Sequence, residues 1–385
     1  MLMDAEQLIN KQLVNDEPAL SVYLHSRAIA NGVPISGTFE LTSRCNFNCK
    51  MCYVHNQDSA LCRATEKSAE WWIELGRKAA DEGMVFLLIT GGEPLLRPDF
   101  KKIYTELSKL GLMISINTNG SLITDEIAEL FKKIPPVRIN VSLYGGCEET
   151  YETLTGVPAF SRVLGNIRRM KDCGIDIRIN VSITEDNYCD SAEIYRLSQE
   201  IGVHVKGAHY MYPQVLVGKS HGENQGRMSA QVAAKNRVDW YKLIFPENEI
   251  PQRFTNTLNG VEALNEACIE DGEEGRVKCR AGRSSFWVNA KGEMCFCGVA
   301  GHGFSIDELG FNGAWDKVRE FSASIRTPAK CEVCKYRSIC CVCAAACYTE
   351  TGDFSTVPEY VCRMTEHIAQ LMKDEIERLG IDNGN

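Results

Sequence analysis

No stretch of this 385-residue chain approaches the roughly 18 apolar residues of a membrane-spanning helix. The longest apolar run, Met84–Thr90 (MVFLLIT), has the length of a buried strand. The opening residues, MLMDAEQLINKQLVNDEP, lack both the basic start and the apolar core of a secretion signal, so the sequence reads as cytoplasmic. There is no long basic run, and the formal net charge is −9. Lysine and arginine are therefore not in excess to neutralise phosphates, which argues against a nucleic-acid partner. No internal repeat and no low-complexity tract is present.

Cysteine is what the chain has in abundance. There are 18, in a sequence whose 44% hydrophobic and 24% charged content is ordinary for a globular protein that buries its core without staples. A reducing compartment disfavours structural disulfides, so many cysteines there read as metal or cluster ligands. Three are packed into RCNFNCKMCYVH: Cys45, Cys49 and Cys52. Eleven lie late: Cys268, Cys279, Cys295, Cys297, Cys331, Cys334, Cys340, Cys341, Cys343, Cys347 and Cys362. Cys62, Cys147, Cys173 and Cys189 stand alone and read as small buried hydrophobes.

Between residues 37 and 213, short β-rich runs alternate with helical segments. Strands are predicted over 37–44, 84–90, 112–119, 137–144, 176–184 and 203–210, and helices near 66–82, 98–110, 124–134, 160–173 and 190–201. The helix near 124–134 shows its ends: Thr124 as cap, Asp125 and Glu126 at its positive end, Lys132 and Lys133 at the other, then Pro135 and Pro136. Six such units predict an α/β fold, a partial (β/α)6 TIM-like barrel with both sheet faces covered. Residues 1–36 form a helical lead-in and 214–267 a bridge with a helix near 229–244. Residues 268–385 form a small, turn-rich, cysteine-dense domain closed by a helix from Pro358 that ends at Gly380. Chemistry in such folds sits at the C-terminal ends of the strands. The Cys45, Cys49, Cys52 array follows the first strand directly.

Thiolates select zinc or iron–sulfur clusters, and a structural zinc site takes four ligands. Here three are close together, and Cys62 lies ten residues further on. A [4Fe–4S] cube held by three cysteines leaves one iron open for a ligand. This C-x3-C-x2-C array, with Met51 before its last cysteine and Tyr53 after it, resembles the signature of the radical S-adenosylmethionine (SAM) enzymes. The resemblance implies that Cys45, Cys49 and Cys52 hold a cluster whose open iron binds SAM. The reduced cluster would then cleave SAM to methionine and a 5′-deoxyadenosyl radical. A second match, TGGEP at Thr90–Pro94, implies that Gly91, Gly92 and Glu93 contact the methionyl amine. Ser142, in NVSLYG, resembles the family's ribose-contacting serine, and Asn117, Asn119 and Asn180 are candidate polar contacts. Ser142 and Asn180 are also readable as ordinary strand residues, GGEP alone is readable as a turn, and the cysteine array as half a zinc site.

The late cysteines run Cys279-x12-Gly292-x4-Cys297, then Cys331-x2-Cys334-x5-Cys340, Cys343, Cys347 and Cys362, which resembles the SPASM extension of the same enzymes. That extension usually carries two auxiliary [4Fe–4S] clusters. The resemblance implies Cys331, Cys334, Cys340 and Cys362 for one. It implies Cys279, Cys297 and either Cys343 or Cys347 for the other, with Cys268 or Cys295 as a possible fourth ligand, because position 344 is Ala where the pattern has Cys. A zinc ribbon starting at Cys331 is the alternative.

Enzymes of this architecture mostly modify ribosomally made peptides, by thioether or carbon–carbon crosslinking or by epimerisation. The resemblance therefore implies a peptide substrate and an electron donor such as flavodoxin or ferredoxin. Sulfatase maturases of the family carry an Asp as general base directly after the cysteine equivalent to Cys297; Gly298 stands there instead, which argues against that branch. Only about 36 residues precede the first strand, too few for a complete fused winged-helix leader-binding domain, so leader recognition would fall to a separate protein or to the barrel and bridge surface. His209, Tyr210 and Tyr212 end the sixth strand and read as substrate-facing or as core or rim residues. A radical enzyme acting on a small metabolite and a non-catalytic iron–sulfur redox protein are the alternatives.

Overall fold

The computed structural model describes residues 19–54, 56–57, 60–260, 279–340 and 342–381. Its strands are β1 (Ser36–Glu40), β2 (Arg44–Cys45), β3 (Asn56–Gln57), β4 (Phe86–Thr90), β5 (Met113–Thr118), β6 (Arg138–Ser142), β7 (Ile177–Ser182), β8 (His204–Ala208), β9 (Ser285–Val288), β10 (Glu293–Cys297) and β11 (Gly301–Ser305). Nine form one sheet in the order β11-β10-β9-β1-β4-β5-β6-β7-β8, and β2 pairs with β3. The expected six-strand array is present as β1 and β4 to β8, each paired in parallel with the next. Helices Ala69–Asp81, Phe100–Ser108, Asp125–Lys133, Phe160–Asp172 and Ser191–Ile201 alternate with these strands. Thr124 caps the third as its sequence implied, accepting the Ile127 N–H at 3.3 Å.

The two faces of the sheet differ. Phe39, Leu87, Ile89, Ile116, Ile139, Val141, Ile179 and Val181 are buried beneath the helices. The opposite face carries Thr38, Ser115, Asn117, Asn140, Ser142, Arg178, Asn180 and Ser182, all partly exposed. The expected covering of both faces by apolar residues is therefore replaced by alternation. One face is core, and the other is a polar, partly exposed wall.

The sheet extends beyond the sixth strand. β9 adds to β1 in parallel, with Thr38 opposite Trp287, and β10 and β11 continue antiparallel. The cysteine-dense region thus shares the barrel sheet, and helix Ile306–Ser324 covers β10 and β11. β8 and β11 are its two edges, so the barrel stays open. The last helix, Glu359–Ile381, runs past the expected stop at Gly380 and packs on helices Ala230–Ile244 and Ile250–Leu258. An exposed glycine in a last turn costs only about 1 kcal/mol, which packing elsewhere on the helix offsets. Among the described residues no helix is long and apolar enough to cross a membrane. None of the four isolated cysteines is fully buried as expected: Cys62 and Cys173 are partly exposed, and Cys147 and Cys189, at the starts of helices, are exposed.

Candidate active site

The cysteine loop is built from the ends of β1 and β4. Past β1 the chain stays paired with the glycine motif: Gly92 N–H donates to Thr42 O at 2.7 Å and Glu93 N–H to Arg44 O at 2.8 Å. A Cβ on Gly91 would lie 2.6 Å from Thr42 O, and one on Gly92 would lie 2.2 Å from Arg44 O. Both glycines therefore let two backbones touch where the loop begins. Arg44 is buried and forks onto Glu66, with Nε–Oε1 2.7 Å and Nη2–Oε2 3.0 Å. Thr42 donates to the same carboxylate.

The loop is then held from outside along its length. Asn48 N–H and Lys50 N–H donate to Thr155 O and Leu154 O, at the end of helix Glu148–Thr155. From the bridge, Gln214 Nε2 donates to Lys50 O (2.9 Å) and Cys52 O (2.8 Å), and Asn224 Nδ2 donates to Met51 O (3.3 Å). Sequence reading missed Arg44, Glu66, Gln214 and Asn224. The only local hint was the density of Asn, Gln and Gly in an otherwise weak bridge.

Cys45, Cys49 and Cys52 come close enough for each charge to disfavour the next. Burial pushes the Cys45 thiol up to about 12, against the pull of the Phe47 N–H. Burial and then the charges of Cys52 and Cys45 hold Cys49 well above its usual range. Such thiols ionise when a metal replaces the proton. Two N–H groups already face the Cys45 sulfur, Phe47 N at 3.4 Å and Asn119 Nδ2 at 3.9 Å, as suits a thiolate ligand. Among the described residues no three His, Cys, Asp or Glu side chains converge as a single ion requires. Three soft thiolate donors on one loop suit an iron–sulfur cluster.

Glu93 is fully buried. Its carboxylate accepts from Leu95 N–H (2.9 Å), Thr118 Oγ1 (2.8 Å) and Asn119 N–H (2.7 Å). Desolvation nevertheless raises its pKa to about 7. The carboxylate ties β4 to β5 and presents Asn119, whose amide also donates to Asn46 Oδ1 at 2.9 Å. Asn117 accepts from Asn140 at 2.8 Å, and Ser142 lies opposite Asn180. Tyr144, unnoticed in the sequence, turns its hydroxyl onto Ser142 and Ser182. Tyr53 is half-buried within the electrostatic reach of Cys52, Glu40, Cys297 and Tyr144. His209 is buried, bonded to Asn236 Oδ1 at 2.8 Å and set against Trp240.

Of the late cysteines, Cys297 lies, like Cys52, within electrostatic reach of Tyr53. Cys297 is pushed up to about 12 by burial, then by the charge of Cys343 and, more weakly, of Cys279. Cys331 and Cys334 act on Cys362. Cys347 is 1% exposed inside helix Ala344–Thr351 and feels Cys343, Cys331 and Cys340. Cys295, also buried, directs its thiol to Glu293 O at 3.8 Å. Cys268 and Cys341 lie outside the described residues.

Residues 39–197 match the Radical SAM superfamily. That span of the chain is similar to a Radical SAM domain. The family implies a [4Fe–4S] cluster and SAM, and the cysteine loop lies inside the matched span. Similarity over most of the chain extends to proteins named AdoMet-dependent heme synthase. The one from Methanosarcina barkeri is 28% identical over 337 residues, covering 82% of this chain and 93% of the relative. The one from Nitratidesulfovibrio vulgaris is 24% identical over 85% of this chain and 92% of the relative. Among solved structures, Streptococcus suis SuiB bound to precursor peptide SuiA has a TM-score of 0.65 at 19% identity, covering 90% of this chain and 82% of SuiB. Native anSMEcpe with bound AdoMet and Cp18Cys peptide has a TM-score of 0.65 at 16% identity, covering 91% and 99%. These structures share the fold.

Proposed function

We propose that this chain is a radical SAM enzyme that modifies a ribosomally made peptide, with Cys45, Cys49 and Cys52 holding the SAM-binding cluster. The observation that carries this reading is the three-thiol loop, pinned at Gly92 and at Gln214 and opening onto the polar inner wall of the sheet. When bound, the cluster and SAM supply a 5′-deoxyadenosyl radical that takes a hydrogen atom from substrate. Gly91 and Gly92 bring backbone close to the methionyl end of SAM. Glu93 orients Asn119 beneath it, and Ser142, Tyr144 and Asn180 line the wall beyond. Tyr53 separates this loop from the second cysteine group.

Residues 268–385 act as a SPASM-type extension holding two auxiliary clusters. Cys331, Cys334, Cys340 and Cys362 serve one, and Cys279, Cys297 and Cys343 the other. The mutual influence of Cys297, Cys343 and Cys279 supports choosing Cys343, while the enclosed helical position of Cys347 argues against it. An electron donor of the flavodoxin or ferredoxin class would feed the reaction. The peptide reading draws on SuiB with its precursor.

A second reading, a small-molecule substrate, is favoured by the heme synthase relatives. One experiment separates them. Reduced, reconstituted protein with SAM is offered either a short peptide encoded beside its gene or an iron porphyrin, and products are read by mass spectrometry. Hydrogen loss, or deuteron uptake from heavy water, on the peptide supports the first reading, and change only on the porphyrin supports the second. Absence of 5′-deoxyadenosine in every mixture removes both and leaves a redox protein.

A further inference from the structure

Tyr212 lies just past β8, and its hydroxyl is 3.5 Å from Cys343 Sγ. The position is fixed from two sides. Asn224 Nδ2 holds the Tyr212 carbonyl at 2.7 Å. The Tyr210 ring packs edge-on against it at 4.8 Å, and Tyr210 is itself anchored by its hydroxyl on Glu350 at 2.7 Å. Glu350 is buried and paired with Arg227, whose guanidinium lies 3.4 Å over the Tyr360 ring.

Cys343 is placed equally firmly. It caps helix Ala344–Thr351, and its sulfur accepts the Ala346 N–H at 3.4 Å. The sulfur thus meets a helix N-terminus and a phenol, both of which favour a thiolate. A phenol is protonated at neutral pH, so toward a thiolate it can only donate.

We propose that Tyr212 is a positioning residue that sets the reduction potential of the auxiliary cluster held by Cys279, Cys297 and Cys343, by donating a hydrogen bond to the Cys343 sulfur. This rests on the auxiliary-cluster reading above. Reduction adds an electron to the cluster, and negative charge spreads onto its ligand sulfurs. A donor on one of them stabilises the reduced form and raises the potential. The Tyr210–Glu350 hydrogen bond nearby does not touch the sulfur, so it serves as an internal comparison.

The test is a dithionite titration of reconstituted protein followed by electron paramagnetic resonance, comparing wild type, Tyr212→Phe and Tyr210→Phe. In Tyr212→Phe one auxiliary signal should need a potential lower by about 59 mV, a tenfold change in its one-electron equilibrium. Iron content, the SAM-responsive signal and the other auxiliary signal should stay as in wild type. Tyr210→Phe should leave every potential in place. An unmoved auxiliary signal in Tyr212→Phe overturns the inference, as does an equal shift in Tyr210→Phe, which would assign the effect to ring packing. Wild-type protein that shows the SAM-responsive cluster alone overturns the auxiliary-cluster reading itself.

Discussion

The side-chain amide of Gln214 donates to the backbone carbonyl of Cys52 at 2.8 Å, across 162 residues of chain, and the same nitrogen reaches Lys50 O at 2.9 Å. The bridge thereby acts as a clasp on the loop that carries the thiols. Two such bonds contribute about 2 kcal/mol together. Gln214→Ala should therefore raise the loop's opening equilibrium roughly thirtyfold and speed chelator-driven loss of iron from the reconstituted SAM-binding site. The check is the rate of bleaching with a strong chelator. A rate equal to that of wild type would show that the clasp is idle.

The two candidates Cys343 and Cys347 are separable by metal analysis. Cys343→Ala should lower iron and sulfide by about four atoms each per chain, one cubane's worth. Cys347→Ala should keep the full complement and lose only about 1 kcal/mol of stability through a small cavity in helix Ala344–Thr351. The opposite pattern would transfer the ligand role to Cys347.

Much of this arrangement was readable because its signals are local. Thr124 with its flanking charges and six β-rich runs alternating with helical segments depend on neighbours within a few residues. The cysteine spacing is local too. What escaped reading depends on distant partners. The pairing of β1 with β9 joins Thr38 to Trp287, and nothing in SFWV names that partner. Helix Ile306–Ser324 was hidden because Gly310, at φ 69°, breaks its period between two helical pieces. The Arg44–Glu66 pair and the Gln214 clasp join ordinary polar residues whose importance exists only after folding.

Gly92 and Gly111 pose a contrast that separates packing from backbone freedom. A Cβ on Gly92 would sit 2.2 Å from Arg44 O, so the two backbones would have to part. Gly92→Ala should cost about 3 kcal/mol and loosen the cysteine loop. Gly111 has φ 76° and nothing within 4 Å of its Cβ position, so Gly111→Ala should cost only about 1–2 kcal/mol of backbone strain. Urea unfolding and iron uptake check both. Gly92→Ala should lose stability and iron together, and Gly111→Ala should keep its iron. Normal iron uptake by Gly92→Ala would show that the close approach is dispensable.

Glu40 supplies a pH test with a definite sign. It is 7% exposed at the end of β1, accepting Trp287 Nε1–H at 3.1 Å. Burial raises its pKa from 4.5 to about 7, opposed by the bonds from Trp287 and the Ala290 backbone and by the charge of Lys291. Between these two values the folded chain holds a proton that the unfolded chain releases. Stability therefore falls as pH rises through that window, and the full penalty, about 3 kcal/mol, applies above pH 7. Glu40→Gln removes the charge and keeps an acceptor for Trp287. In metal-free protein it should be more stable than wild type at pH 8, with the advantage shrinking steadily toward pH 4.5. Urea unfolding across that range reads the difference directly. A gap that stays constant with pH would mean that Glu40 ionises in the fold as it does in water, and that its carboxylate is less enclosed than the β1–β9 pairing makes it.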